Sequence, residues 1–223
     1  MTINKSGHRL RIHEIYDSIQ GESTLAGMAC TFIRLAGCPL RCTYCDTPQA
    51  IPFDSGEWMQ IDDIVTDVQK RNRPLVLVTG GEPLAQRHCS ELLSELLALG
   101  CEVQLETSGA YPLASLPVGV RRIVDLKTPG SGEAERNRLD NLSCLCAGDE
   151  IKMVLTSRAD YQWAAAMIEQ HRLGQGDVPV LLSAAWGSLK AEELCQWMLD
   201  DRLPARLQLQ LHKVIWGAEA TGV

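Results

Sequence analysis

Cys38, Cys42 and Cys45 fall within the run Gly37-Cys38-Pro39-Leu40-Arg41-Cys42-Thr43-Tyr44-Cys45-Asp46-Thr47. A thiolate is a soft ligand suited to zinc and to iron–sulfur clusters. Three on one short loop can hold three corners of a cubane cluster, leaving the fourth iron open to bind and reduce something. Structural zinc instead closes with four ligands, usually in pairs, and Cys144-x-Cys146 is the one further pair. Asp46 and Thr47 follow the last cysteine and carry hard oxygens of the kind Mg²⁺ takes.

Other stretches carry chemistry of their own. Gly80-Gly81-Glu82-Pro83 follows an apolar strand; its glycines allow close backbone approach and Glu82 offers an acceptor to a cation. An ordinary strand-to-helix turn reads the same way. Thr107-Ser108-Gly109, Asp125-Leu126-Lys127 and Ser183 to Gly187 end later strands and serve equally as cofactor walls or as loops. Upstream, Gln20-Gly21-Glu22-Ser23 places Glu22 where it can accept two hydrogen bonds from an amidine-like edge such as that of a pterin or guanine. Arg34 interrupts the apolar run Phe32-Ile33-Arg34-Leu35. A buried arginine needs an anion, and the strand alone does not choose between a protein and a substrate carboxylate. His212 ends the last strand, a place that also suits a satisfied core histidine.

The elements that must position these residues follow from periodicity. Strands are expected over 9–16, 30–36, 75–79, 103–106, 122–126, 150–155, 178–183 and 206–211. Helices are expected over 61–71, 84–99, 160–171 and 190–200. The segments 17–29 and 47–59 read as irregular, 127–149 shows no convincing helix, and the tail from Trp216 to Val223 is ill-defined. Strands alternating with helices imply βα units and a parallel sheet. A closed eight-fold barrel takes about 250 residues. A chain of 223 fits a partial, open α/β barrel of the (β/α)6 type in one domain, 1–223, with some helices reduced. In such folds the chemistry gathers at the C-terminal strand ends, where the special loops fall.

The formal net charge of -7 shows no basic patch, so a small substrate is expected and no nucleic acid. No apolar run approaches a membrane span, and the N-terminus has no signal-like segment, so no membrane and a cytoplasmic location are expected. Nine cysteines in a reducing compartment favour metal binding over disulfides for the clustered ones.

The Cys-x3-Cys-x-aromatic-Cys loop resembles the signature of the radical S-adenosylmethionine superfamily, and Gly80-Gly81-Glu82-Pro83 looks like its segment for the methionyl ammonium. Ser18 to Glu22, Phe32 to Cys38, Cys45-Asp46-Thr47, Val78 to Pro83, Glu106 to Gly109, Glu150-Ile151-Lys152 and Leu211-His212-Lys213 together resemble the 7-carboxy-7-deazaguanine synthase family. The resemblance implies a carbon–nitrogen lyase that converts 6-carboxy-5,6,7,8-tetrahydropterin to 7-carboxy-7-deazaguanine with loss of ammonia. It implies a radical ring contraction in which S-adenosylmethionine is used catalytically, in the queuosine or another deazapurine pathway. Cys38, Cys42 and Cys45 would ligate a 4Fe–4S cluster and Thr47 would ligate Mg²⁺. Tyr44, Asp46, Gly81, Glu82, Gly109, Asp125, Leu126 and Lys127 would line the S-adenosylmethionine site. Ile19, Gln20, Gly21, Glu22, Arg34, Thr107 and His212 would contact substrate. A flavodoxin or ferredoxin as electron donor and a homodimer are expected. Two positions depart from the family pattern: Ser23, where it often has glycine, and Asp125-Leu126, where many members read Ser-Pro. A glycyl-radical-enzyme activase and a non-catalytic zinc-binding module are the rival readings.

Overall fold

Each apolar run becomes a strand whose alternate residues face opposite sides of one sheet. The computed structural model describes residues 7–223, and nine strands form that sheet. β1 (Arg9–Ile19) lies antiparallel to β2 (Ala29–Leu35), and β3 (Glu57–Gln60) lies antiparallel to β1 on its far side. From β2 the sheet continues in parallel through β4 (Leu75–Gly80), β5 (Glu102–Thr107), β6 (Arg121–Asp125), β7 (Glu150–Leu155), β8 (Val180–Ala184) and β9 (Arg206–Leu207). β3 and β9 are its two edges and do not pair with each other, so the sheet is open. This is the partial barrel that the βα pattern implies.

The outer face is apolar and covered by helices. α1 (Ile61–Arg71) and α2 (Cys89–Ala98) bring Ile64, Val68, Leu92 and Leu96 onto Ile33, Leu35, Val76, Val78 and Leu105. α3 (Arg158–His171) and α4 (Ala191–Asp201) bring Tyr161, Ala164, Ile168 and Leu194 onto Ile151, Met153, Leu155 and Leu182. Between β5 and β6 the described residues hold no helix, and between β6 and β7 only short 3-10 turns. The inner face changes character along each strand. A small apolar cluster of Cys30, Phe32, Leu75, Leu77 and Ile123 plugs its lower part. Two residues further along the same strands come Arg34, Thr79 and Asp125, joined by Glu106 and Lys152 from β5 and β7. The period of two therefore delivers a ring of polar side chains to the C-terminal ends.

Four boundaries differ from the sequence expectation. β1 continues to Ile19 because Asp17, Ser18 and Ile19 pair with Thr31, Cys30 and Ala29, which tightens the expected 17–29 loop to a turn closed by Gln20 N donating to Met28 O (2.8 Å). β3 emerges from the segment read as irregular, its register set by Arg9 to Ile12. α2 starts late because Gln86 turns away to bond the backbone of Arg11 and Ala36. The last strand stops at Leu207, and Leu211–Trp216 form a fifth helix, α5, whose Leu211 N donates to Gly21 O (2.9 Å). No helix among the described residues is long and apolar enough to cross a membrane.

Candidate active site

The C-terminal ends of the parallel strands open into a cavity of about 560 Å³, lined by the cysteine loop, the Gln20–Glu22 turn, the polar ring and the tail from Ala218 to Val223. The cysteine loop is fixed through its backbone. Gly37 N donates to Ala50 O (2.8 Å) and Cys38 N to Ile51 O (2.9 Å). Gly37 has φ +92°, and the Phe53 ring occupies the space a Cβ would take. On the far side Thr43 N and Oγ1 donate to Ser131 O and Gly130 O (3.0 and 2.8 Å), and Arg41 N donates to Glu133 Oε1 (2.6 Å).

Gly80 and Gly81 complete this clamp. Gly81 N donates to Leu35 O and Glu82 N to Gly37 O, both at 2.9 Å. A Cβ on Gly81 would lie 2.9 Å from Cys38 Cβ and against the Gly37 carbonyl. The close approach these glycines permit is therefore to the cysteine loop itself. Glu82 corrects an expectation. It is fully buried and accepts from Leu84 N, Thr107 Oγ1, Ser108 N and Ser108 Oγ (3.0, 2.8, 2.8 and 2.5 Å), which fills its lone pairs. It does not line the cavity; it ties the turn to the end of β5. Gly109 and Leu126 are likewise absent from the wall. Gly109 sits at φ +70° with its carbonyl held by Asn141 Nδ2 (2.9 Å), and Leu126 belongs to the core beneath α3.

Cys38, Cys42 and Cys45 are free thiols that line the cavity. Burial pushes the Cys42 thiol up to about 11 and Cys38 in the same direction, so metal binding releases protons here. Among the described residues the three sulfurs do not all lie within 4.8 Å of one another. Tetrahedral zinc, at about 2.3 Å per thiolate, needs a tighter set, whereas a cubane spreads its ligands. Cys144 and Cys146 lie off this wall, so they do not supply the missing zinc pair. Beside the thiols, the Tyr44 hydroxyl and Asp125 Oδ1 are buried without a partner. The other Asp125 oxygen accepts from Lys127 Nζ (2.8 Å). Burial opposes the Lys127 charge, yet Asp125 and its neighbours raise its affinity for the proton. Three soft donors with unfilled polar atoms next to them fit an iron–sulfur cluster whose open iron holds a polar organic ligand.

The rest of the wall is built from side chains of distant segments. Gln20 Nε2 donates to Gln104 Oε1 (2.5 Å), and Gln104 Nε2 donates to Ser23 Oγ (3.1 Å). Ser23 holds the left-handed φ of +70° that a glycine would otherwise supply. The ring of His212, now on α5 and not a strand end, covers Gly21, where a Cβ would collide with it. Burial pulls the His212 imidazole below its ordinary value. Glu22 accepts from Gln210 Nε2 (2.8 Å) and pairs with Lys152, which also pairs with Glu106 (2.7 Å). Arg34 resolves as a shared case: Nε pairs with Glu14 (2.7 Å) and Nη2 donates to Tyr16 (3.0 Å), while Nη1 reaches Thr47 Oγ1 (3.4 Å) at the cavity wall. Thr47 Oγ1 also donates to Asp46 Oδ1 (3.2 Å). Partial desolvation works against the half-exposed Asp46 carboxylate, but Lys213 at 3.0 Å outweighs it and holds the group at about 2. Ile19 and Thr107 complete the lining.

Glu14, Glu106, Lys152, Gln210 and Lys213 were not expected as site residues. Glu106 and Lys152 stood only within Glu106 to Gly109 and Glu150-Ile151-Lys152, segments that carry the family resemblance, with no role of their own. Gln210 had no signal, because 206–211 was read as strand, and Lys213 stood only within the Leu211-His212-Lys213 segment of the resemblance, with no role of its own.

The chain matches the family model for the radical SAM superfamily over residues 32–126, the span from β2 through β6. It is 42% identical to the 7-carboxy-7-deazaguanine synthase of Koribacter versatilis, with 96% of this chain and 100% of that one aligned. It is 44% identical to the enzyme of the same name from Chlorobaculum tepidum, over 96% and 97%. Among solved structures, QueE from Escherichia coli superposes with a TM-score of 0.74 at 21% identity, covering 95% of this chain and 100% of that chain, which shows a shared fold.

Proposed function

The chain belongs to the 7-carboxy-7-deazaguanine synthase family within the radical SAM superfamily, and we propose that its cavity converts 6-carboxy-5,6,7,8-tetrahydropterin to 7-carboxy-7-deazaguanine and ammonia. It is a lyase, and its family implies a 4Fe–4S cluster and S-adenosylmethionine. When bound, these supply a one-electron reductant and the 5′-deoxyadenosyl radical that starts the ring contraction. The observation that carries the reading is one cavity lined both by the three thiols and by Gln20, Glu22 and Arg34.

Each residue has a task in that arrangement. Cys38, Cys42 and Cys45 hold the cluster at the mouth of β2. Tyr44, Asp125 and Lys127 face S-adenosylmethionine, with the orphaned Tyr44 and Asp125 oxygens finding partners there. Asp46 stays ionised through Lys213 and, with Gly81, borders the same space. Arg34 is braced by Glu14 and Tyr16 and keeps one edge toward Thr47, so a substrate carboxylate there meets a guanidinium already in place. Thr47, whose hydroxyl lines the cavity beside Arg34, would hold a Mg²⁺ that helps to fix the substrate carboxylate. Glu22, the backbone of Ile19 to Gly21, Thr107 and His212 orient the pterin. The polar walls and the α5 cover keep the reacting atoms in one pose.

We infer a cytoplasmic reaction, which nine free thiols suit, and propose a flavodoxin or ferredoxin as donor and a homodimer as the working form. An anaerobic assay with 6-carboxytetrahydropterin, S-adenosylmethionine, a reductant and the cluster-loaded protein, with and without Mg²⁺, tests the reading. Formation of 7-carboxy-7-deazaguanine, faster with Mg²⁺, is expected. A brown, iron-loaded protein inert toward the pterin would instead favour a glycyl-radical-enzyme activase.

A further inference from the structure

One charged cluster in the cavity joins three separate segments: Glu22, Lys152 and Glu106. Lys152 is 5% exposed, and its ammonium pairs with Glu22 from the turn after β1 and with Glu106 at 2.7 Å from β5. The two carboxylates reach it from segments far apart in sequence. The second Glu106 oxygen has only a long contact to Thr79 Oγ1 (3.4 Å), and Glu22 has only Gln210 besides the lysine. Two carboxylates around one ammonium carry a net negative charge. Such a group leaves acceptor lone pairs over, facing the cavity that both line.

We propose that Lys152 is the positioning residue of the substrate end: it holds the Glu22 and Glu106 carboxylates side by side, so that their free lone pairs read the amino-pyrimidinone edge of a pterin. This rests on the function proposed above and deepens it to the specificity of the site. The amino group and ring N–H of that edge are two donors in a row, matched to carboxylate acceptors. A 2-oxo analogue puts a carbonyl against the same carboxylates and is rejected, because a site built for a donor penalises its absence. Lys152 itself does not lose its proton. Burial opposes its charge, but Glu106, Glu22 and Asp125 hold it well above the ordinary lysine value. Glu106 is held low by the same contact, against burial. Asp125 beside Lys152 is already neutralised by Lys127, and Asp46 by Lys213; His212 and Tyr44 are the remaining titratable groups nearby.

Without the ammonium, two carboxylates would share one space, and one would take up a proton near neutral pH. The test is fluorescence titration of the cluster-loaded protein with pterin-6-carboxylate and lumazine-6-carboxylate, from pH 6 to 9, in wild type, Lys152→Met, Lys152→Arg and Glu106→Gln. Wild type is expected to prefer the pterin at least ~10-fold, with little change over this range. Lys152→Met should lose that preference at pH 7 and recover part of its pterin affinity as pH rises and the pair ionises. Lys152→Arg should keep most of the preference, and Glu106→Gln should weaken it while remaining folded by circular dichroism. Unchanged discrimination in Lys152→Met, or an equal loss for both ligands without pH dependence, overturns the role of Lys152. Wild type that binds neither ligand, while still cleaving S-adenosylmethionine reductively, overturns the pterin reading and this proposal with it.

Discussion

Two parts of the cavity wall are held by different forces. At the cysteine end the backbone does the positioning: Gly37, Cys38, Gly81, Glu82 and Thr43 all spend main-chain N–H groups on neighbouring carbonyls. At the substrate end the positioning is done by charged and amide side chains, with Arg34 on Glu14, Lys152 on Glu22 and Glu106, and Lys213 on Asp46. A backbone clamp tolerates no added Cβ and hardly responds to pH. A side-chain clamp tolerates backbone change but depends on every charge keeping its partner. The chain thus separates a rigid mount for the radical-generating group from a charge-tuned mount for the substrate.

The sharpest break in this contrast is Cys42→Ala. Iron loading and reductive cleavage of S-adenosylmethionine should both vanish, because the cluster loses a corner; wild-type turnover would remove the cluster assignment. Next is Gly81→Ala, whose Cβ must push Cys38 or the Gly37 carbonyl. It should cost about 1–3 kcal/mol of stability, read by chemical denaturation, and lower cluster loading. A fully loaded, equally stable variant would show that the glycine pair is not a clamp. Arg34→Ala probes the other mount. Leaving the Glu14 carboxylate without its partner should weaken pterin binding by roughly 10–100-fold, in line with truncation of one member of a desolvated charge pair. Reductive cleavage should survive; its loss would make Arg34 part of the rigid mount.

The smallest effect is Lys213→Met. Asp46 has its folded pKa depressed to about 2, so its contribution is fully present above the unfolded value of about 3.9 and fades as pH falls toward 2. Removing Lys213 should flatten acid unfolding across that window only. With 44% of the Asp46 side chain accessible, screening limits the change to well under about 1 kcal/mol. The loss should be greatest above pH 4 and shrink toward pH 2; a loss that persists undiminished at pH 2 would mean Lys213 matters through packing.

The same contrast explains what the sequence disclosed. The rigid mount was legible because thiol spacing and paired glycines are local signals, although the packing of Gly81 on the cysteine loop was not foreseen and Glu82 was placed on the wall when it braces β5. The open parallel sheet was legible because its strands are apolar runs of ordinary length. The charge-tuned mount was legible only in part. Arg34 stood out as a charge inside an apolar run, but its Glu14 partner sits on an antiparallel strand whose register no local pattern gives. Lys152 was hidden because its partners are 130 and 46 residues away, at Glu22 and Glu106. α5 was missed because Leu211 and His212 are fixed by Gly21, a tertiary contact that overrides a short apolar run.

The most direct test of the account is the ratio of 7-carboxy-7-deazaguanine formed to S-adenosylmethionine consumed in one anaerobic reaction of the cluster-loaded protein. The account predicts many equivalents of product per S-adenosylmethionine lost, with one ammonia released for each. Steady consumption of S-adenosylmethionine to 5′-deoxyadenosine and methionine, with no deazaguanine formed from the pterin, would contradict it.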